Sequence, residues 1–176
     1  MASGRSGAEL RVRATVSGQG EGRVETGVPA LDHLLSLLAR YAPFSLELEV
    51  EPGAPAAEVT AAGRALGHAL RPKLRERGAR GHGSAVLPQD EALAQVVVEA
   101  SDRPLVVANV DLSEARLGGL AGDVIADFLR ELAEGAGLTA HVRLIEGQSP
   151  QHALEAIFKA LGASLGQACQ ATERKE

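Results

Sequence analysis

The chain contains an internal repeat, which constrains its fold more than any other feature of the sequence. Residues 150–165 read PQHALEAIFKALGASL, and residues 55–70, ninety-five positions earlier, read PAAEVTAAGRALGHAL. A second pair of segments repeats at an offset of ninety-four. The matched residues of this pair are Leu34, Leu35, Leu38 and Ala42 in the first copy and Phe128, Leu129, Leu132 and Ala136 in the second. A sequence duplicated in this way predicts two similar halves that share one core.

The composition excludes several classes of protein. The chain of 176 residues is 45% hydrophobic and 23% charged, so it can bury a core and is not of the disordered type. Its net charge of -5 argues against a nucleic-acid partner. No apolar run approaches the ~20 residues that span a bilayer. The single cysteine, Cys169, forms no internal disulfide. We therefore expect a soluble cytoplasmic protein with neither a membrane nor a nucleic-acid partner.

Hydrophobic periodicity predicts the order strand, strand, helix, strand, helix in each half. This order predicts the α+β class, with two sheets of at most four strands and two helices on one face of each. We assign residues 1–8 to a flexible tail, 9–83 to the first half, 84–171 to the second half and 172–176 to a charged tail. The predicted strands are 10–17, 23–26, 45–51, 92–100, 104–111 and 138–145, and the predicted helices are 29–41, 56–77, 123–135 and 149–171.

Five segments, in this order and at these spacings, resemble the imidazoleglycerol-phosphate dehydratase family over about residues 10–170. They are TGVPALDHLL (26–35), GARGHGSAVLPQDEAL (78–93), SDRP (101–104), TAHVRLIEG (139–147) and QHALEAIFKAL (151–161). The resemblance implies a duplicated βαβ fold and the dehydration of imidazoleglycerol phosphate to imidazole acetol phosphate. It also implies two manganese ions, held by His and Glu side chains between the subunits of a homo-oligomeric cage, typically of twenty-four chains built from trimers.

Four residues match metal ligands of the family. The Asp-His-Met-Leu motif places a ligand at His33, the Leu-His-Val motif places one at His141, and the late His-His-x-x-Glu motif places two at His152 and Glu155. Each has an alternative reading: His33 as a capping or core histidine, His141 as a polar-face strand residue, and the pair on the late helix as part of a solvated face.

Other ligands of the family are missing. Gln151 stands where the late motif has its first histidine, and the early motif falls on Ala56, Ala57 and Thr60. Glu58 lies nearby, but it would point about 200° round the helix from Thr60, which makes it a poor substitute.

The residues expected to contact substrate are also only partly present. The resemblance gives Arg103 and Lys159 the role of phosphate binding, as a bidentate fork and a point charge. A turn arginine and a solvated helix lysine are their alternative readings. A second phosphate arginine of the family is replaced at Gly81, and the early glutamate motif fails at Ser17–Gly18.

Two hypotheses of function follow from this partial match. The first is a catalytically degenerate member that keeps the fold, with at most partial manganese occupancy. Such a member would serve as a structural cage, as a regulatory subunit that assembles with an active relative, or as a binder of another phosphorylated compound. The second is a working dehydratase with a reduced or altered metal site. We favour the first, because an ion bound by fewer ligands is held more weakly.

Overall fold

A computed structural model of the chain describes residues 11–18, 22–111, 116–117 and 120–172. The predicted tail at 1–8, and residues 173–176 of the charged tail, lie outside the described residues. The first half contains β1 (Val12–Ser17), β2 (Val24–Glu25), α1 (Pro29–Tyr41), β3 (Ser45–Val50) and α2 (Pro55–Leu74). The second half contains β4 (His82–Gln89), β5 (Ala92–Ala100), β6 (Leu105–Ala108), β7 (Arg116–Leu117), β8 (Leu120–Ala121), α3 (Gly122–Ala136), β9 (Leu138–Glu146) and α4 (Pro150–Cys169).

Both halves have the same strand topology. Within the described residues, the first sheet has the order β1-β3-β2 and the second has the order β4-β5-β9-β6. In the first sheet β3 pairs antiparallel with β1 and parallel with β2. In the second sheet β9 pairs in the same way, antiparallel with β5 and parallel with β6. The duplicated α+β architecture predicted from the sequence is confirmed. The second sheet has one further strand, β4, which the sequence interpretation missed.

The repeat extends to the register of the longest helices. Helices α2 and α4 both contain 20 residues, and both have a proline in the first turn. Proline suits this position because it lacks only an N–H that would have no partner within the helix. Pro55 and Pro150 are therefore equivalent starts, ninety-five positions apart.

All four helices lie between the two sheets. Helices α1 and α2 cover the first sheet, α3 and α4 cover the second, and the halves meet where α2 packs along α3 and α1 packs against α4. The repeated apolar residues noted above are all buried in this core. No helix within the described ranges is both long and apolar enough to cross a bilayer.

Two glycines allow the helices of opposite halves to approach closely. A Cβ added to Gly67 of α2 would lie 2.6 Å from the carbonyl oxygen of Leu132 in α3. A Cβ added to Gly162 of α4 would meet the carbonyl oxygen of Leu38 in α1. Because Gly67 and Gly162 are equivalent positions of the repeat, the same close contact is made twice, each time across the boundary between the halves.

Candidate functional site

The packing of α1 against α4 brings together two of the predicted metal ligands, one from each half. The apolar stripe of α1, which includes Leu34 and Leu38, is fully buried, and His33 lies at its margin with a side chain 53% exposed. Its Nε2 atom is 3.4 Å from Oε1 of Glu155 on α4, whose side chain is only 9% exposed. The first half therefore supplies an imidazole to a nearly buried carboxylate of the second half.

Gln151 also contacts this carboxylate. It lies one helical turn before Glu155, and its side-chain Nε2 donates a hydrogen bond of 2.9 Å to the same oxygen, Oε1. The sequence interpretation treated Gln151 only as the place of a missing histidine. The spacing of four residues on a helix, which puts two side chains next to each other, was the signal for this contact.

His152 faces a different set of partners. Its Nδ1 is 2.7 Å from Oε2 of Glu91, and its Nε2 is 3.4 Å from Oδ2 of Asp90, both in the turn between β4 and β5. The other carboxylate oxygen of Glu91 accepts a hydrogen bond of 2.8 Å from the backbone N–H of Ser149, the N-cap of α4. Glu91 therefore has a structural hydrogen-bonding role, and it fixes the start of α4.

These contacts shift the pKa values of both partners in opposite directions. The hydrogen bond from the Ser149 backbone, followed by that from His152, lowers the pKa of Glu91 to about 2. The hydrogen bond to Glu91 raises the pKa of His152 above its ordinary value, with smaller contributions from the charges of Glu91, Asp90 and Glu155. Both directions favour the charged forms of the pair.

His141 lies apart from the other candidates. It occupies β9 opposite Val97 of β5 and Val107 of β6. Its neighbours Ala140 and Val142 are buried toward the helices, whereas His141 is exposed. Since successive strand residues point to opposite faces, His141 projects from the outer face of the sheet. The sheet separates it from α4, so a single chain does not bring it to His152.

The early motif position has no ligand set in this structure. The first turn of α2 presents Ala56 and Ala57 to solvent, and the hydroxyl of Thr60 donates a hydrogen bond of 2.8 Å to the Ala56 carbonyl. Glu58 is buried, and its Oε1 accepts a hydrogen bond of 2.6 Å from the backbone N–H of Gly53. Glu58 therefore ties the β3–α2 connection to its own helix and does not replace the lost glutamate.

The donor set of one chain does not fit the two-ion site that the resemblance implies. Within the ranges that the structure describes, no group of three or more His, Cys, Asp or Glu side chains is arranged to hold a metal ion. His33 and Glu155 are two donors in contact, and His152 is bonded to Asp90 and Glu91 instead. Two protein donors leave most positions of a divalent ion to water.

The two residues expected to bind phosphate lie at opposite ends of β5. Lys159 donates a hydrogen bond of 3.2 Å to the carbonyl oxygen of Pro88, and its Nζ lies 5.4 Å from the ring centre of Tyr41. Pro88 pairs with Leu93 near the start of β5, whereas Arg103 follows the end of that strand. The separation along the strand is about 23 Å. One chain therefore does not form a single anion site from both residues.

Comparison with known proteins decides the family. The sequence model described as imidazoleglycerol-phosphate dehydratase matches residues 26–165. The chain is 41% identical over 165 residues to the imidazoleglycerol-phosphate dehydratase of Syntrophobacter fumaroxidans, a match that covers 92% of this chain and 84% of that protein. It is 37% identical over 169 residues to the one of Desulfitobacterium hafniense, covering 94% and 86%. The chain belongs to the imidazoleglycerol-phosphate dehydratase family.

Solved structures agree with this assignment to a family of histidine biosynthesis. The imidazoleglycerol-phosphate dehydratase of Staphylococcus aureus superimposes with a TM-score of 0.85 at 32% identity, covering 92% of this chain and 95% of that one. The enzyme of Pyrococcus furiosus, solved in complex with (S)-C348, superimposes with the same TM-score of 0.85 at 31% identity, covering 98% and 96%. The dehydratase-like fold is thus present over nearly the whole chain.

Proposed function

We propose that this chain is a catalytically degenerate member of the imidazoleglycerol-phosphate dehydratase family, which keeps the fold but not the two-metal dehydratase site. The observation that carries the proposal is the first turn of α2, where Ala56, Ala57 and Thr60 stand in place of the three early ligands. Neither alanine offers a donor atom, and the Thr60 hydroxyl is bonded to its own helix. Glu58, the carboxylate nearest in sequence, is turned inward.

A second candidate function is a working dehydratase with a reduced metal site. The contact between His33 and Glu155 favours it, because both residues match ligand positions and lie within 3.4 Å of each other. The family places its metal sites between subunits, so a neighbouring chain's His141 could complete such a site. This candidate requires one ion, or other residues in place of the lost ligands, and a turnover that depends on His152 and Glu155.

The proposal includes a homo-oligomer, trimer-based and up to twenty-four chains as in the family. Large apolar side chains on the second sheet support it. They are exposed by between 37% and 52%, and they are Val86, Val97, Leu105, Val107 and Ile145. Burial of such a surface is a common driving force for association. Several chains would also be needed for Arg103 and Lys159 to meet on one phosphorylated small molecule.

The test measures metal content and turnover on the same purified assembly. Manganese is added, excess ion is removed, and ions per chain are counted by elemental analysis while dehydration of imidazoleglycerol phosphate is assayed. The relative from Syntrophobacter fumaroxidans serves as the matched control. We expect no turnover and at most one ion per chain. Two ions per chain with turnover would overturn the proposal.

Two variants separate the candidates further. If the chain turns over substrate with one ion, Glu155→Ala abolishes that turnover and supports the second candidate. If the chain is inactive, the triple substitution Ala56→His, Ala57→His and Thr60→Glu restores the early ligand set. We expect this triple variant to bind more manganese per chain than the unmodified protein does.

A further inference from the structure

We infer that Gln151 has taken the place of the cation at the α1–α4 contact, so that His33, Glu155 and Gln151 form a hydrogen-bonded link between the two halves that needs no metal. The inference rests on the proposed function and gives the retained ligand residues a new, structural role. It concerns residues that the resemblance assigns to manganese.

The side chain of Glu155 is nearly buried. A nearly buried carboxylate is costly unless its oxygens accept hydrogen bonds or bind a cation. Its side chain is 9% exposed, and its Oε1 receives the Gln151 amide at 2.9 Å and faces His33 Nε2 at 3.4 Å. Both partners therefore converge on the same carboxylate oxygen, Oε1.

Gln151 differs in chemistry from the histidine that the family motif has at this position. A histidine at position 151 would offer a ring nitrogen lone pair to an ion, whereas the Gln151 amide NH₂ is a donor with no such lone pair. In this chain the amide points its N–H at the carboxylate. The amide of Gln151 therefore satisfies the carboxylate directly by donating an N–H to it.

The link lies between α1 and α4, at the boundary of the two halves. His33 belongs to α1 in the first half, while Gln151 and Glu155 belong to the first turns of α4 in the second half. The start of α4 is also held by Glu91, which accepts the Ser149 N–H and contacts His152. The contact across the halves is therefore that of His33 with Glu155, and Gln151 supports the carboxylate from within α4.

The experiment is thermal unfolding at one fixed protein concentration, in EDTA and in excess Mn²⁺, for the whole chain and for Gln151→Ala. Helix propensity alone predicts that Gln151→Ala is neutral or slightly stabilising, because alanine is the better helix former. Loss of a hydrogen bond to a buried carboxylate predicts the opposite. We expect Gln151→Ala to lower Tm by about 2–6 °C equally in both buffers, and Mn²⁺ to leave the Tm of the unmodified chain unchanged.

A double-mutant cycle provides the control. Gln151→Ala, Glu155→Ala and the double variant are compared in EDTA, and we expect the Tm losses to be non-additive, because the double variant leaves neither partner unsatisfied. Additive losses, or a Gln151→Ala variant as stable as the parent, would overturn the inference.

The measurements in Mn²⁺ distinguish this inference from the proposed function. A ligand that binds only the folded state raises Tm by mass action. Suppose that Mn²⁺ raises the Tm of the unmodified chain but not that of Glu155→Ala, and that no turnover is seen. This result would overturn the metal-free link but would leave the proposed catalytic degeneracy in place. Turnover of imidazoleglycerol phosphate would instead overturn the proposed function.

Discussion

His33 of the first half and Glu155 of the second half are in contact, with Nε2 and Oε1 3.4 Å apart. The two side chains are unequal partners, since the imidazole is 53% exposed and the carboxylate is 9% exposed. Their contact joins α1 of the first half to α4 of the second half.

His33→Ala should therefore cost little stability. An interaction that involves an exposed partner at this distance contributes about 0.5 kcal/mol, and Gln151 remains bonded to the carboxylate. The free energy of unfolding, measured by urea titration, should fall by less than about 1 kcal/mol, and by the same amount with EDTA and with Mn²⁺. A larger loss in Mn²⁺ would show that His33 holds an ion.

Gly162→Ala and Gly67→Ala should destabilise the chain by similar amounts. At each position the new methyl group would press on a carbonyl oxygen of the opposing helix, that of Leu38 or Leu132. Overpacking of this kind costs about 1–3 kcal/mol, which exceeds the ~1 kcal/mol that alanine gains over glycine in a helix.

The control for these two variants is Gly18→Ala, because a Cβ at Gly18 has nothing within 4 Å. Urea unfolding of the three variants should show losses for Gly67 and Gly162 and almost none for Gly18. A neutral Gly162→Ala would mean that α1 and α4 can separate without cost.

The repeat made much of this fold predictable. It indicated that the two halves share one architecture, and hydrophobic periodicity predicted α2 and α4 to within three residues at their ends. The strand β4 was missed because its sequence, HGSAVLPQ, contains Gly83 and Pro88, which weaken a strand prediction. Pro88 is tolerated because β4 lies at the edge of its sheet.

The candidate site was predictable only in part. Motif positions named His33 and Glu155, but their contact depends on how α1 crosses α4, which spacing along the chain does not specify. The separation of His141 from α4 follows from strand pairing, which the sequence does not specify either. Gln151 was overlooked because a departure from the motif was counted as a loss, although the residue brings its own hydrogen bond.

Asp102 should tolerate glycine better than alanine. It has a positive φ of 54°, and its Oδ1 accepts hydrogen bonds from Arg75 at 2.7 Å and Arg71 at 3.2 Å. Asp102→Gly loses these ion pairs, worth about 0–1 kcal/mol for a side chain that is 68% exposed, but relieves the backbone strain. Asp102→Ala loses the ion pairs and keeps the strain.

We therefore expect Asp102→Gly to stay within about 0.5 kcal/mol of the parent and Asp102→Ala to lose about 1–2 kcal/mol. Guanidinium unfolding of both variants measures the difference. Equal stability of the two variants would show that the left-handed backbone at this position carries no strain.

Cys169 should react slowly with thiol reagents in the folded protein. Burial raises the pKa of its thiol to about 11, an effect that the nearby Lys73 only partly offsets. Since the thiolate is the reactive form, roughly one thiol in a thousand is reactive at pH 8, against about one in ten for a thiol of pKa 9. Alkylation by iodoacetamide, followed by mass spectrometry, should be at least tenfold slower than for glutathione under the same conditions.

The same reaction in guanidinium provides the control. Unfolding exposes Cys169 to water and returns its pKa to the ordinary range, so alkylation should accelerate to the rate of glutathione. The folded rate should rise as the pH increases from 8 toward 11, because deprotonation then becomes favourable. Equal rates in the folded and unfolded states at pH 8 would place the thiol in water, and the contact between the end of α4 and the residues around it would have to be open in solution.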